Sequence, residues 1–393
     1  NNINSLMKKH SAHLYCFFGI LLLTIKTLYA QEYYFPEYQA EWKTTSATSG
    51  AFTEVSLQAA VDFAMEHEYT GSRDLRQAIL KGFEREPYHH IAGPTKKRGG
   101  PAGMILKNGY LVTRWGDTER VDMTFSVTKS FLSTTAGLAV DAGIITDVND
   151  LVGDYIWDGT FDGDHNSQVT WKHLLEQNSD WSGELWDGKD WADRPPREGG
   201  IDTWKNRELR TPGTFFEYND VRVNVLAYAL THTWRKPLPQ VLKEQLMDPI
   251  GASTSWRWFG YDNAWSTIDG LQMQSVTGGG HSGGGMFISA EDMARFGLLF
   301  LNNGVWDGKR LLSEAWVKAV QQPSTPNPNY GYMWWLNQQG ARHWKNLPEH
   351  LYYAAGFGGN FIVIDQENDL VIVLRWLEPS QIEAFLELVY GAS

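Results

Sequence analysis

The sequence predicts an α/β fold of the α+β type, in which strands from both ends of the chain share one sheet and helices fill the region between them. Residues 103–116, "GMILKNGYLVTRWG", are two apolar, β-rich runs around Asn108-Gly109, a pair typical of a tight hairpin turn. Strand-like segments recur near the C-terminus, at residues 330–336, 361–365 and 370–376. One sheet built from both ends, with a helical insertion, is the most economical architecture for this order.

The other elements follow from helical patterns and turn signals. Seven segments are predicted to be helices: 54–66, 73–84, 127–141, 170–177, 219–233, 239–247 and 380–389. Another helix begins after Ser289, where Ser289-Ala290-Glu291-Asp292 resembles a capping box, and runs to about Leu301. The Trp-rich stretch 181–204 is interrupted by prolines and predicts a long loop. We expect the sheet region at about 85–120 and 325–393, and the helical and loop insertion at about 140–280.

Composition and charge exclude several classes of protein. Hydrophobic residues make up 42% and charged residues 20% of the 393 positions, as in globular proteins. The formal net charge of −12, without a basic stripe, argues against a nucleic-acid partner. The 11 histidines show no metal-ligand spacing, and no glycine loop precedes a Lys-Ser or Lys-Thr pair. We therefore expect no metal and no other cofactor.

Residues 1–30 have the pattern of a secretory leader. The basic stretch Met7-Lys8-Lys9 precedes an apolar run over residues 14–25, and Ala30 is a small residue suited to cleavage. The run is short for a membrane span and ends at Lys26, although an anchored N-terminal helix is the alternative. Cleavage after Ala30 would remove the only cysteine, Cys16. Residues 31–393 would then be one exported domain, in the periplasm or outside the cell, with no stable membrane anchor.

Ser282 is one of two candidate nucleophiles. It lies in Gly280-His281-Ser282-Gly283-Gly284, which matches the G-x-S-x-G motif. That motif needs a buried strand before the serine and a helix after it, and the surrounding glycines disfavour both elements. We therefore expect this glycine loop to pass close to another element, at one edge of a cleft, rather than to supply the nucleophile.

Ser126 is the stronger candidate, in Thr124-Phe125-Ser126-Val127-Thr128-Lys129. The pattern S-x-x-K is weak alone, since Ser5-Leu6-Met7-Lys8 also matches it. Ser126 begins a predicted helix, however, whose free N–H groups favour developing negative charge. Lys129 lies on the same helical face, and apolar surroundings would lower its pKa until the neutral amine could accept a proton. The alternative is a helix-capping serine beside a lysine that extends to solvent.

Further segments follow and precede "FSVTKSF" in a recognisable order. The hairpin "MILKNGYLVTRWG" comes before it, and "TWKHLLEQNSDWSG", "PGTFFEYNDVRVNVLAYAL", "GGGMFISAEDMARFGLLFLNNGVWDGKRLL" and "AAGFGGNFIVIDQENDLVIVL" come after it. In these segments the chain resembles the penicillin-recognising serine hydrolases: cephalosporinase-type β-lactamases, DD-peptidases, and related esterases and 6-aminohexanoate-dimer hydrolases. The resemblance covers roughly residues 85–390. It implies a β-lactamase/transpeptidase-like fold, with an antiparallel sheet flanked by helices and an all-helical region inserted.

The resemblance also implies roles for individual residues. Ser126 would be the acylated nucleophile and Lys129 its proton acceptor. Tyr218 would pass the proton to the leaving group and help to activate water for deacylation, although it could instead be a core aromatic residue with a satisfied hydroxyl. The backbone N–H groups of Ser126 and Phe357 would form the oxyanion hole.

The second motif of the family departs from its usual form here. It is usually Tyr-x-Asn, whereas Tyr218-Asn219-Asp220 places an aspartate third. Either Asn219 or Asp220 could orient Lys129 and contact substrate. A carboxylate near Lys129 would hold the lysine in its charged form more than an asparagine does.

The third motif departs as well. It usually begins with a Lys or His that pairs with a substrate carboxylate, whereas Ala354-Ala355-Gly356 supplies no cation. We expect Ala355 and Gly356 to line the substrate site. Trp181 and Trp186 either line an apolar pocket or pack the long loop.

These observations predict an exported serine hydrolase that cleaves a neutral carboxylic ester, or a small amide, through an acyl-enzyme on Ser126. A β-lactamase or DD-peptidase is the alternative enzyme. A non-catalytic, penicillin-binding-like ligand binder is the alternative outside the enzymes, and the presence of Ser126, Lys129 and Tyr218 counts against it.

Overall fold

The structure is a computed structural model that describes residues 33–45, 54–338 and 344–391. The predicted leader, residues 1–30, lies outside the described residues, so its cleavage and the export of the chain stay predictions. Among the described residues, every helix is too short or too polar to span a bilayer.

The helices and strands of the described residues alternate along the chain. The α-helices are Glu54–Glu66 (α1), Leu75–Gly82 (α2), Thr128–Asp141 (α3), Gly163–Asn166 (α4), Trp171–Leu175 (α5), Ile201–Lys205 (α6), Asp220–Trp234 (α7), Leu238–Leu242 (α8), Ala290–Leu301 (α9), Glu314–Ala319 (α10) and Ile382–Tyr390 (α11). The strands are Ala102–Lys107 (β1), Tyr110–Trp115 (β2), Asp122–Met123 (β3), Glu184–Leu185 (β4), Gly188–Lys189 (β5), Arg257–Phe259 (β6), Trp265–Ile268 (β7), Leu271–Gln274 (β8), Gly285–Ile288 (β9), Val305–Trp306 (β10), Lys309–Arg310 (β11), Trp335–Leu336 (β12), Tyr352–Gly356 (β13), Asn360–Asp365 (β14) and Leu370–Arg375 (β15).

Six antiparallel strands form the main sheet, in the spatial order β12-β13-β14-β15-β1-β2. The N-terminal hairpin joins the C-terminal strands where β1 pairs with β15, from Ala102↔Arg375 to Lys107↔Leu370. The predicted turn at Asn108-Gly109 is confirmed, and both residues have the positive φ that such a turn requires. The prediction of one sheet built from both ends of the chain is therefore confirmed.

Alternating side chains of the sheet belong to two different cores. In β15, Val371 and Val373 lie in the larger core, which α3, α5, α7, α8 and α9 complete. Ile372 and Leu374 point to the opposite face and lie in a second core with α1 and α11. Because both faces are covered, the strand is apolar along its whole length.

Helix α3, which follows Ser126, runs through the larger core. All of its residues from Thr128 to Ala139 are buried. Phe131 of α3 stacks on Phe296 of α9 with ring centroids 3.9 Å apart. In α9, a side chain at Gly297 would meet Val371 of the sheet at 2.6 Å, so this glycine allows the helix to approach the sheet closely. The start of α3 is therefore held by packing on several sides.

The structure differs from the predicted elements in two places. Residues 330–336 are not one strand, because Met333 has a positive φ and Tyr330 turns back to pair with Trp335. The inserted region is not all-helical, since the hairpins β4–β5 and β7–β8 interrupt its helices and β6 joins β3 and β9 in a second sheet. Residues with positive φ at Asp187 and Asp269 make the two tight turns possible.

Candidate active site

Ser126 lies between strand β3 of the three-stranded sheet and helix α3. After β3 the chain makes a 3₁₀ turn over Phe125–Val127, and α3 begins at Thr128. Phe125 has φ of +50°, an uncommon conformation for a large side chain and a local strain of the kind that clusters at functional sites. Phe125 and Val127 are buried, whereas Ser126 is partly exposed to a cavity.

Lys129 is buried beside Ser126. Its side chain is 2% exposed, and its Nζ donates to Ser126 Oγ at 2.8 Å and to Asp220 Oδ1 at 2.6 Å. The spacing of three residues thus places the amine and the hydroxyl on one face, as predicted. Lys129 does not extend to solvent, so the alternative of a solvated lysine is wrong.

Asp220, rather than Asn219, contacts Lys129. The side chain of Asn219 accepts the backbone N–H of Arg222 at 3.1 Å and donates to the carbonyl oxygen of Asp190 at 2.8 Å. It therefore caps α7, and it is 1% exposed. The structure places Asn219 away from the substrate cavity and leaves Asp220 as the residue that orients the lysine.

The carboxylate of Asp220 determines the protonation of Lys129. Burial alone would lower the pKa of Lys129, as expected, but the negative charge of Asp220, the nearby Tyr218 and the hydrogen bond to Asp220 raise the pKa above the ordinary lysine value. Burial likewise opposes ionisation of Asp220, yet Lys129 and Arg194 hold the pKa of Asp220 well below its usual range. The resting pair is thus Lys129 cation and Asp220 anion.

Tyr218 packs over the lysine at the edge of the same cavity. Lys129 Nζ lies 4.8 Å and Arg194 Cζ 5.2 Å from the centre of the Tyr218 ring, and Trp335 stacks on this ring at 5.7 Å. Tyr218 is partly exposed and lines the cavity rather than the core. The structure therefore brings together Ser126, Lys129, Tyr218 and Asp220.

The end of β13 lies against the backbone of Ser126. A Cβ added at Gly356 would lie 2.2 Å from the carbonyl oxygen of Thr124 and 3.1 Å from the backbone N of Ser126, so only glycine allows this approach. Ala355, Gly356 and Phe357 all line the cavity. The backbone of Ser126 and the residue after Gly356 therefore lie at the same cavity, and the oxyanion hole of Ser126 and Phe357 stays a prediction.

Ser282 occupies a different position from Ser126. It lies between β8 and β9 rather than between a strand and a helix, and it lines a separate cavity of about 70 Å³. Three residues earlier, a Cβ added at Gly279 would lie 2.8 Å from Lys129 Nζ and 3.0 Å from Asp220 Oδ1. The prediction that this glycine loop passes close to another element is therefore confirmed.

A network of buried charges surrounds Asp220, and the sequence contained no signal for it. Arg194 Nη1 lies 2.7 Å from Asp220 Oδ2 and 2.6 Å from Asp193 Oδ1. His281 Nδ1 lies 3.3 Å from Asp220 Oδ2, and its Nε2 lies 2.6 Å from Glu86 Oε2. Three basic side chains, with Lys129 counted, thus face three carboxylates in one cluster that is buried except for the partly exposed Arg194.

Two triads in this cluster have ligand atoms within 4.8 Å of one another: Glu86, His89 and His281, and Asp193, Asp220 and His281. In both triads His281 already pairs with a carboxylate, and Lys129 and Arg194 add positive charge beside Asp220. Ion pairing therefore accounts for this arrangement, and it does not favour a further cation.

The cavity beside Ser126 has a volume of about 420 Å³ and mostly aromatic walls. Its lining residues are Phe83, Phe125, Ser126, Arg194, Tyr218, Asp220, Gly280, His281, Trp335, Trp344, Tyr353, Ala355, Gly356, Phe357, Phe361, Pro379 and Ile382. Trp181 is not among them: it is 3% exposed in the larger core, and its Nε1 donates to the carbonyl oxygen of Thr160. Trp186 lines the smaller cavity beside Ser282.

Known proteins with related sequences and folds are hydrolases and penicillin-binding proteins. The 6-aminohexanoate-dimer hydrolase of Paenarthrobacter ureafaciens is 24% identical over 292 residues, which cover 65% of this chain and 67% of that protein. A family VIII carboxylesterase structure has a TM-score of 0.53 at 18% identity, covering 76% of this chain and 93% of its own. The structure of a penicillin-binding protein homologue from Caulobacter crescentus has a TM-score of 0.54 at 15% identity, and the match covers 82% of this chain and 99% of that protein.

The family model described as Beta-lactamase matches residues 91–376, which is more than half of the chain and includes the predicted site residues. The fold is the β-lactamase/transpeptidase-like arrangement, with an antiparallel sheet flanked by helices. This protein belongs to the Beta-lactamase family, among the penicillin-recognising serine hydrolases.

Proposed function

We propose that the protein hydrolyses neutral carboxylic esters through an acyl-enzyme on Ser126. The observation that supports this most directly is the 2.8 Å contact between Ser126 Oγ and Lys129 Nζ on the wall of an aromatic cavity. The cations that line the cavity, Arg194 and His281, are already paired with carboxylates, so the site favours an uncharged substrate. Ala354 occupies the position where the family's substrate-binding cation usually lies, and Ala355 and Gly356 add no charge.

The chemistry proceeds in two halves. After Lys129 has lost its proton, its Nζ accepts the proton of Ser126 Oγ while Oγ bonds to the ester carbonyl carbon. The backbone N–H groups of Ser126 and Phe357 stabilise the oxyanion. The C–O bond to the alcohol then breaks, Tyr218 gives its hydroxyl proton to the leaving alkoxide, and Lys129 returns a proton to Tyr218. In the second half, water bonds to the acyl carbon and gives one proton to Tyr218, whose own proton passes to Lys129. The bond between the acyl carbon and Ser126 Oγ then breaks, the acid leaves, and Lys129 returns the proton to Ser126 Oγ.

Two of the related proteins support an ester or an amide as the substrate, and the absence of a cation at Ala354 counts against a β-lactam. A carboxylesterase shares the fold, and a 6-aminohexanoate-dimer hydrolase is a related sequence, which makes a small amide the second candidate. The predicted leader at residues 1–30 would place this activity outside the cytoplasm.

A fluorophosphonate should add one adduct to the intact protein, and the adduct should disappear in Ser126→Ala but persist in the matched control Ser282→Ala. The reason is that only Ser126 has Lys129 beside its hydroxyl. Mass spectrometry of the intact protein measures this. Labelling that disappears only in Ser282→Ala would contradict the proposal, and a stable penicillin adduct on Ser126 would move the protein toward the penicillin-binding enzymes.

The charge of the acyl group should affect turnover strongly. We expect kcat/KM for a neutral nitrophenyl ester to exceed that for the same ester with a carboxylate on its acyl chain by about tenfold or more, since an unpaired charge is costly in an aromatic cavity. Steady-state hydrolysis of the two esters at one ionic strength measures the ratio. Equal values, or a preference for the charged ester, would argue against a neutral substrate.

A further inference from the structure

His281 lies in contact with the oxygen of Asp220 that Lys129 does not use. Lys129 Nζ contacts Oδ1 at 2.6 Å, whereas His281 Nδ1 contacts Oδ2 at 3.3 Å. The histidine side chain is 8% exposed and its Nε2 is 2.6 Å from Glu86 Oε2. An imidazolium at this position is bracketed by two carboxylates, which favours its charged form.

The carboxylate of Asp220 contacts three basic side chains: Lys129 at Oδ1, and Arg194 and His281 at Oδ2. Arg194 lies 2.7 Å from the same Oδ2 that His281 contacts. The carboxylate of Asp193 accepts a hydrogen bond from the backbone N–H of Asp220, which fixes the backbone of Asp220 in this position. The negative charge of Asp220 favours the charged form of Lys129. Each cation at Oδ2 offsets part of that effect, because a nearby positive charge disfavours a second positive charge on Lys129.

We propose that His281 is a positioning residue for the reaction: it holds Oδ2 of Asp220 and draws negative charge away from Lys129, so that Lys129 releases its proton more readily. This inference rests on the proposed chemistry of Ser126 and Lys129. It explains how a lysine that faces a carboxylate at 2.6 Å can still become a proton acceptor.

Several charged or titratable groups face His281. They are Glu86 and His89 from the segment after α2, Asp193 and Arg194 from the loop before α6, Asp220 from α7, and Tyr261 from the loop after β6. Burial would lower the pKa of His281, but the charge of Asp193, the contact with Asp220 and the hydrogen bond with Glu86 outweigh burial and the opposing charge of Arg194, and raise it to about 9. His281 is therefore charged at neutral pH.

The test is the rate of fluorophosphonate labelling of Ser126 as a function of pH, in the wild type and in His281→Gln. Labelling should accelerate with pH as Lys129 loses its proton. At pH 7, where the wild-type histidine is charged, labelling of His281→Gln should be about tenfold slower, and the two curves should converge above about pH 9, where the wild-type histidine also loses its charge. The matched control His232→Gln replaces a partly buried histidine of α7 away from the site and should follow the wild type.

A second pair of variants separates this role from a general loss of packing. In an Asp220→Asn background, His281→Gln should leave the pH dependence unchanged, because the histidine acts through Asp220. If His281→Gln does not fold, Glu86→Gln should also slow labelling below about pH 9, because His281 would lose its proton at a lower pH than in the wild type. A rate lowered equally at every pH, or a rate at pH 7 equal to that of the wild type, would overturn the inference alone. Absence of labelling in the wild type would overturn the proposed function, and the inference with it.

Discussion

Replacing Lys129 with methionine is expected to slow acylation of Ser126 by about 10²- to 10⁴-fold, the usual contribution of a positioned proton acceptor. Methionine has a similar length but cannot accept the proton from Ser126 Oγ, which now lies 2.8 Å from the amine. The burst of alcohol released from an activated ester, or the rate of fluorophosphonate labelling, measures acylation directly. Acylation within tenfold of the wild type would show that Lys129 is not the proton acceptor.

The stability of the same variant has a matched control. Lys129→Met leaves Asp220 buried with one positive neighbour fewer, so the melting temperature should fall. The double variant Lys129→Met/Asp220→Asn removes both charges and should recover much of the lost melting temperature while acylation stays slow. Recovery of acylation together with stability would mean that the first defect came from misfolding.

Gly279→Ala is expected to lower kcat by about 10²-fold while the protein stays folded. The added methyl group would lie 2.8 Å from Lys129 Nζ and 3.0 Å from Asp220 Oδ1, so the amine must move away from Ser126. Displacement of a reacting group by about 1 Å is enough for a loss of this size. The rate of Ser126 labelling and a thermal melt measure the two parts of the prediction.

The control for this variant is Gly200→Ala, since a Cβ at Gly200 meets no atom within 4 Å. Gly200→Ala should keep wild-type activity and melting temperature. Full activity in Gly279→Ala would show that Lys129 tolerates displacement, which would contradict its proposed role.

The sequence alone predicted those parts of the fold and of the site that depend on residues close to one another in the chain. The hairpin around Asn108-Gly109 and the helix after Ser126 follow from local turn chemistry and periodicity. The contact between Ser126 and Lys129 also follows from local geometry, because residues three apart share one face of a helical turn. The prediction of one strand over residues 330–336 was wrong in part, because only Trp335–Leu336 forms a strand. The sequence pattern contains no sign that the chain would reverse at Met333.

The charge cluster could not be predicted, because its members come from separate parts of the chain. Glu86, Arg194, Asp220 and His281 meet only after the sheet and the inserted helices have packed. Local patterns also left Asn219 and Asp220 equivalent as partners of Lys129, and the contact of Asp220 with Lys129, 91 residues away in the chain, separates them. Charges act through space, so their sum at one atom depends on the tertiary structure.

The protonation of Lys129 illustrates both contributions. The sequence by itself determined that a lysine lies beside the nucleophile in an apolar setting, and burial there does act to lower its pKa. The tertiary structure decided the opposite net direction, because Asp220 lies against the amine and raises the pKa of Lys129. The sequence therefore determined which groups are candidates for the reaction, whereas the packing of distant segments decided the charges that surround them.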